Sequence, residues 1–181
     1  GDTVITIEPA PAAKARLVAS PASLTVGGTA TLSLTVTDAY GNLVPPTVIT
    51  LTASLGTFEG GGATISKTTT VGTGQFSTQL SSTVAGTETI RLASSSGFLS
   101  LTPDSSSIVF RPGGPVDVTL EPSGPITVAA GSPLTVTVSS RDSYGNAVDP
   151  WTPVTYTWSQ NATNSSQPGY GTLTSLHPRG R

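Results

Sequence analysis

Residues 31–36 read Thr31-Leu32-Ser33-Leu34-Thr35-Val36, a strict alternation of hydroxyl and apolar side chains. A period of two puts Leu32, Leu34 and Val36 on one face of an extended chain, which predicts a strand with that face on a core. Thr135-Val136-Thr137-Val138 predicts the matching strand about a hundred residues later. Between 49 and 53, Ile49, Leu51 and Ala53 share a face, as Val154, Tyr156 and Trp158 do between 154 and 158. Further strands are predicted at 63–70, 75–80, 87–93 and 107–111.

These elements recur at a spacing of roughly 103 residues, the size of an immunoglobulin-like sandwich. Thr6-Ile7-Glu8-Pro9 matches Val109-Phe110-Arg111-Pro112, each a strand end stopped by proline. Ala15-Arg16-Leu17 matches Val118-Thr119-Leu120, and Leu24-Thr25-Val26-Gly27-Gly28 matches Ile126-Thr127-Val128-Ala129-Ala130-Gly131. The sharpest match sets Asp38-Ala39-Tyr40-Gly41-Asn42-Leu43-Val44 against Asp142-Ser143-Tyr144-Gly145-Asn146-Ala147-Val148. The expected organisation has three parts: residues 1–9 as the last strand of a preceding unit, 14–112 as a complete sandwich, and 115–181 as a second one truncated after about its fourth strand. Truncation would leave Tyr156 and Trp158 poorly covered.

Composition agrees with an all-β chain. Of 181 residues only 10% are charged, and Ser and Thr make up about three tenths. Thr and Val suit a pleated, half-buried surface, and 20 Gly with 15 Pro supply turns. The net charge of -2, with eight Lys and Arg scattered singly, leaves no basic stripe for nucleic acid. No apolar run approaches the ~20 residues that span a bilayer, so no membrane insertion is expected. With no Cys there are neither disulfides nor thiolate metal sites. The absence of Met suggests a piece of a longer chain.

The paired Asp-x-Tyr-Gly-Asn-x-Val segments, each after an alternating Thr/Val strand, resemble the bacterial immunoglobulin-like repeats of invasin and intimin type. That resemblance covers almost the whole chain. It implies tandem Greek-key β-sandwiches, the last incomplete, forming a rod-like stalk outside the cell. One departure is that Leu43 and Ala147 stand where family members often have proline, with Pro45-Pro46 and Pro150 slightly later. Similar modules also serve as spacers in secreted carbohydrate-active enzymes.

Candidate chemistry is sparse. Asp38 with Asn42, and Asp142 with Asn146, suit either an oxygen-ligand calcium loop or an Asx-type turn with Gly41 and Gly145 at positive φ; the turn reading is the stronger because no further carboxylate lies nearby. Tyr40 and Tyr144 are read as packing over the end of the core in preference to a sugar platform. Trp158 is assigned to the core, and Trp151 and Tyr170 are the contact candidates. The single histidine, His177, sits in an irregular tail and offers no Ser-His-Asp arrangement, while Glu59, Glu88 and Asp104 occur singly, so no catalytic residue, cofactor or metal is assigned. Lys14 and Lys67 are expected to be solvated. The linkers Pro9-Ala10-Pro11 and Pro112-Gly113-Gly114-Pro115 are expected to differ, the glycines loosening the second.

The expected function is therefore a non-catalytic structural or adhesive module, a stalk or spacer whose partners are neighbouring immunoglobulin-like domains of the same chain. The alternative is a carbohydrate- or protein-binding accessory domain of a larger secreted enzyme or adhesin.

Overall fold

The computed structural model describes residues 2–94, 100–101, 107–124, 126–129, 132 and 134–148, with only the backbone of 100–101. Its contacts divide the chain into two compact units, Gly1–Gly113 and Gly114–Arg181.

In the first unit the strands are β1 (Lys14–Ser20), β2 (Ser23–Thr25), β3 (Thr29–Thr37), β4 (Val48–Ala53), β5 (Thr57–Phe58), β6 (Thr64–Thr68), β7 (Gln75–Ser81), β8 (Gly86–Ser94), β9 (Ser100–Leu101) and β10 (Ser107–Arg111). One sheet has the order β5-β7-β3-β1-β9 and the other β2-β10-β8-β4-β6. The consecutive strands β3 and β4 lie in opposite sheets, as do β7 and β8, which is the crossing that makes a Greek-key sandwich. The fold is all-β.

The alternation in the sequence becomes the sandwich core. Leu32, Leu34 and Val36 of β3 are fully buried, with Ala15 and Leu17 of β1 and Leu80 of β7 beside them. From the other sheet Ile49, Leu51, Ile90, Ile108 and Phe110 close over this face in one cluster. Each such Leu, Ile or Phe contributes roughly 1.5–3 kcal/mol relative to leaving it in water. The outer faces carry hydroxyls in cross-strand pairs, such as Thr50 Oγ1 with Ser66 Oγ at 2.8 Å.

Two expectations shift. Residues 2–13 form no strand, and Val4, Ile5 and Ile7 are exposed; a closing strand pairs only with the sheet it completes, and among the described residues no such sheet stands beside 2–9. The run Gly60-Gly61-Gly62 follows β5. It closes a tight turn in which Phe58 N–H donates to Gly62 O (2.8 Å) and Gly61 N–H to Phe58 O (3.0 Å).

In the second unit, β11 (Asp117–Glu121) pairs antiparallel with β12 (Thr137–Arg141), Asp117 opposite Arg141. The strand expected at 135–138 therefore begins two residues later, and Val136 is exposed. Residues 149–181, with Trp151, Tyr156, Trp158, Tyr170 and His177, lie outside the described residues.

Leu34→Ala removes a buried side chain from the centre of β3 and is expected to cost about 2–5 kcal/mol in urea unfolding, whereas Ser33→Ala on the outer face stays within about 0.5 kcal/mol.

Candidate functional site

β1 begins at Lys14 opposite Thr37, the end of β3, so residues 38–42 cap the end of the sandwich where the chain arrives. Asp38 is fully buried there. Its Oδ1 accepts the backbone N–H of Tyr40 (2.9 Å) and of Asn42 (2.8 Å), the pattern of an Asx turn. Its Oδ2 accepts the Asn42 side-chain amide (2.9 Å) and the backbone N–H of Ala10 (3.2 Å). Asp38 N–H donates back to Asn42 O at 2.9 Å. Gly41 sits at φ 92°, where a side chain would be strained.

The same bonds recur in the second unit. Asp142 Oδ1 accepts Tyr144 N–H and Asn146 N–H, both at 2.9 Å, Asn146 Nδ2 reaches Asp142 Oδ2 at 3.0 Å, and Gly145 takes φ 84°. Asp142 is buried as well. Thr37 and Leu43, like Arg141 and Ala147, form the isolated bridge that leads out of each turn.

Four N–H donors occupy the lone pairs of Asp38 that a cation would need, and no group of three His, Cys, Asp or Glu side chains capable of holding a metal occurs among the described residues. The Asn42 side-chain amide foremost, then the backbone amides of Asn42, Ala10 and Tyr40, hold the Asp38 carboxyl below its ordinary value, against the opposing effect of desolvation.

The turn tyrosines are not packed over the core. Tyr40 is 85% exposed and Tyr144 52%, because the Asx turn points residue i+2 away from the sandwich while the aspartate occupies the buried corner. Each ring is held out to solvent on a hydrogen-bonded turn. The lysines depart from simple solvation too: Lys14 Nζ donates to Ala39 O at 2.7 Å, and Lys67 pairs with Glu59 and donates to Ser77 O at 3.1 Å. Lys67, with help from the Thr78 hydroxyl, keeps the Glu59 carboxyl below its ordinary value.

Sequence reasoning missed the second buried carboxyl of the first unit. Glu88 of β8 is fully buried at the opposite end of the sandwich, beneath the turn that follows β4. Its Oε1 accepts Ser54 N–H (2.5 Å) and Ser54 Oγ–H (2.9 Å), and its Oε2 accepts Leu55 N–H (2.9 Å) and Gly56 N–H (2.6 Å). Ser54 Oγ in turn accepts Thr89 N–H at 2.8 Å. A Cβ on Gly56 would lie 2.8 Å from Ser81 O and 3.1 Å from Glu88 Oε2, so the turn needs glycine there. The only local signal was an acidic residue at an inward position of an alternating strand, Thr87-Glu88-Thr89-Ile90, with Glu88 on the face of Ile90.

A shallow hollow of about 300 Å³ over β3 and β7 is lined by Ser33, Thr35, Thr70, Thr73, Gln75 and Ser77, with no titratable side chain. Asp38 and Glu88 sit at opposite ends of the first unit and are engaged with loop amides. Their arrangement serves to fix loops.

No protein-family model matches this chain, and no curated protein matches it. Among solved structures it is similar to InvD of Yersinia pseudotuberculosis, with a TM-score of 0.53 and 20% identity over 80% of this chain and 46% of the InvD chain. The fold of the first unit is an immunoglobulin-like β-sandwich. This chain spans less than half the length of that InvD chain. Domains 5-6 of the S-layer protein SbsC overlay with a TM-score of 0.32 and 19% identity, over 74% of this chain and 64% of theirs.

Two measurements check the buried carboxyls. Glu88→Ala strips the acceptor from three backbone amides and one hydroxyl, and is expected to lower stability by about 3 kcal/mol or more in urea unfolding. For Asp38 the sign follows from its lowered pKa: the contribution is complete above the ordinary carboxylate range and is lost as pH falls through the lower, folded value. Acid titration of stability is therefore expected to fall less steeply in Asp38→Asn than in the native chain, an equal slope in both contradicting this assignment.

Proposed function

We propose that this chain is a non-catalytic immunoglobulin-like module of a bacterial secreted or cell-surface protein, serving as a stalk or spacer. The observation that carries this reading is the placement of its two ends. The chain arrives at the Asp38 end, where Lys14 lies opposite Thr37, and leaves from Arg111 at the Glu88 end, where Val26 N–H donates to Arg111 O and Gly27 N–H to Ser82 O. Along β3, nine residues separate these ends, about 30 Å of rigid sheet. A module that takes in the chain at one end and releases it at the other adds length when repeated.

The repeated turn supports a division into one unit at 14–112 and another from 115. Neighbouring immunoglobulin-like domains are then its first partners. The resemblance to invasin- and intimin-type repeats, with the fold shared with InvD, supports a place outside the cell.

A second reading rests on Tyr40 and Tyr144. Aromatic rings displayed on fixed turns suit recognition of carbohydrate or a host protein, since stacking needs a ring already held in place. The full chain on an array of host cell-surface glycans separates the two. The spacer reading expects no retention; retention lost in a Tyr40→Ala, Tyr144→Ala double variant would make this a binding module. Protease shaving of intact cells producing the parent protein is expected to release peptides from this segment, and release only after lysis would overturn the extracellular assignment.

A further inference from the structure

β6 stands at the margin of its sheet, and the hydrogen bonds around it fix which of its backbone groups are used. Ala53 N–H donates to Ala63 O (2.8 Å) and Thr69 N–H to Thr47 O (3.0 Å), on the side where β4 lies. Backbone groups alternate sides along a strand, so Ile65 and Lys67 bond towards β4, while the N–H and C=O of Thr64, Ser66 and Thr68 point away from it. None of these outward groups has a partner among the described residues. The strand is paired with β4 at five consecutive residues and contains no glycine or proline. The side chains of Thr64, Ser66 and Thr68 are exposed hydroxyls on the outer face of the sheet.

The free flank of β7 in the other sheet is treated differently. Val36 N–H donates to Gly74 O, which sets the backbone groups of Gln75, Ser77 and Gln79 away from β3. Gln75 O accepts Thr70 N–H (2.8 Å), Ser77 O accepts an N–H of Lys67 Nζ (3.1 Å), and Gln79 O accepts Glu59 N–H (3.0 Å). Those carbonyls are all occupied. Lys67 lies opposite Ile49 on the core face of β6 and reaches across to the other sheet, where it also pairs with Glu59. The one charge on β6 is therefore directed away from its open edge and already paired. An edge with no proline, no bulge and no charge turned outwards lacks the usual guards against strand addition.

We propose that the outer edge of β6 is a self-pairing surface, taken by β6 of a second copy of this chain running antiparallel, so that modules join side by side. The strand is complementary to itself. A two-fold axis at Ser66 sets Ser66 opposite Ser66 of the second copy and Thr64 opposite Thr68, each pair exchanging both main-chain bonds. On the outer face hydroxyl then meets hydroxyl, as Thr50 Oγ1 and Ser66 Oγ already do between β4 and β6. On the inner face Lys67 comes opposite Ile65, so like charges are not directly opposed. An extended segment of another protein would draw its specificity from pockets beside the edge. Here the flanking outer face offers Thr50 and Thr52, and the hollow described above lies over the other sheet. The spacer reading uses the two ends of the unit, whereas this pairing uses its flank.

Pairing along one short strand is weak once the cost of association is met, with a dissociation constant expected at about 0.1–1 mM. Sedimentation equilibrium of the full chain, from micromolar to millimolar concentration, is expected to show a monomer passing into a dimer. Ser66→Pro removes an outward N–H that β4 does not use, and Ser66→Lys sets two ammonium groups face to face across the axis. Each is expected to weaken the dimer about tenfold or more, whereas Ser66→Ala keeps it within about twofold. Urea unfolding checks that the variants keep the fold; should Ser66→Pro lose it, Ser66→Lys carries the test. A monomer at every concentration would overturn self-pairing in favour of an extended segment of another protein or of no partner. A dimer as strong in Ser66→Lys as in the native chain would overturn it by placing the contact elsewhere. Either result leaves the spacer reading intact, and finding the parent protein only inside the cell would sink that reading without touching the sedimentation result.

Discussion

Keeping two apolar sheet faces pressed together is the constraint on which the first unit depends. With so few charged side chains and no disulfide, little else in this chain can offset the entropy of ordering it. Leu32, Leu34 and Val36 meet Ile49, Leu51, Ile108 and Phe110 because each strand carries its apolar residues at every second position. A one-residue slip in any pairing would turn that face to water, so the pattern also sets register. The outer faces carry mostly hydroxyls, with single charged side chains such as Arg16 and Arg91 among them.

Closing such a core creates a problem at its ends, where loops cross from sheet to sheet and their amides come near the buried face. An unpaired amide there costs about 1–3 kcal/mol. Asp38 and Glu88 answer this at opposite ends of the same unit, each collecting four donors on one buried carboxyl group. At the arriving end Asp38 also takes the Ala10 amide, which ties the incoming linker to the domain.

The site chemistry follows the same logic. The buried carboxyls of Asp38 and Glu88 are occupied mainly by backbone amides, and Tyr40 and Tyr144 are displayed on the turns. Conformational restriction is what these residues supply.

Local pattern and turn chemistry were enough to read much of this. The alternation at 31–36 and 49–53 identified the core faces of β3 and β4, and the Asp-x-Tyr-Gly-Asn spacing identified the turn, because both effects act within a few residues. Other features depend on partners far along the chain. Glu88 meets Ser54 and Gly56 more than thirty residues away, and nothing near it in sequence distinguishes a buried clamp from a solvated acid. The outward swing of Tyr40 follows from the aspartate taking the buried corner, and Val4, Ile5 and Ile7 remain unpaired although their pattern is that of a strand. A strand needs a sheet beside it, and which sheet edge stands there is a matter of tertiary structure. By itself the sequence determined which faces are apolar and where the chain turns, since these are local properties of side chains and backbone. Only the tertiary structure decided which distant donors reach each buried carboxyl and which strand edges find a neighbour, because those partners lie far along the chain.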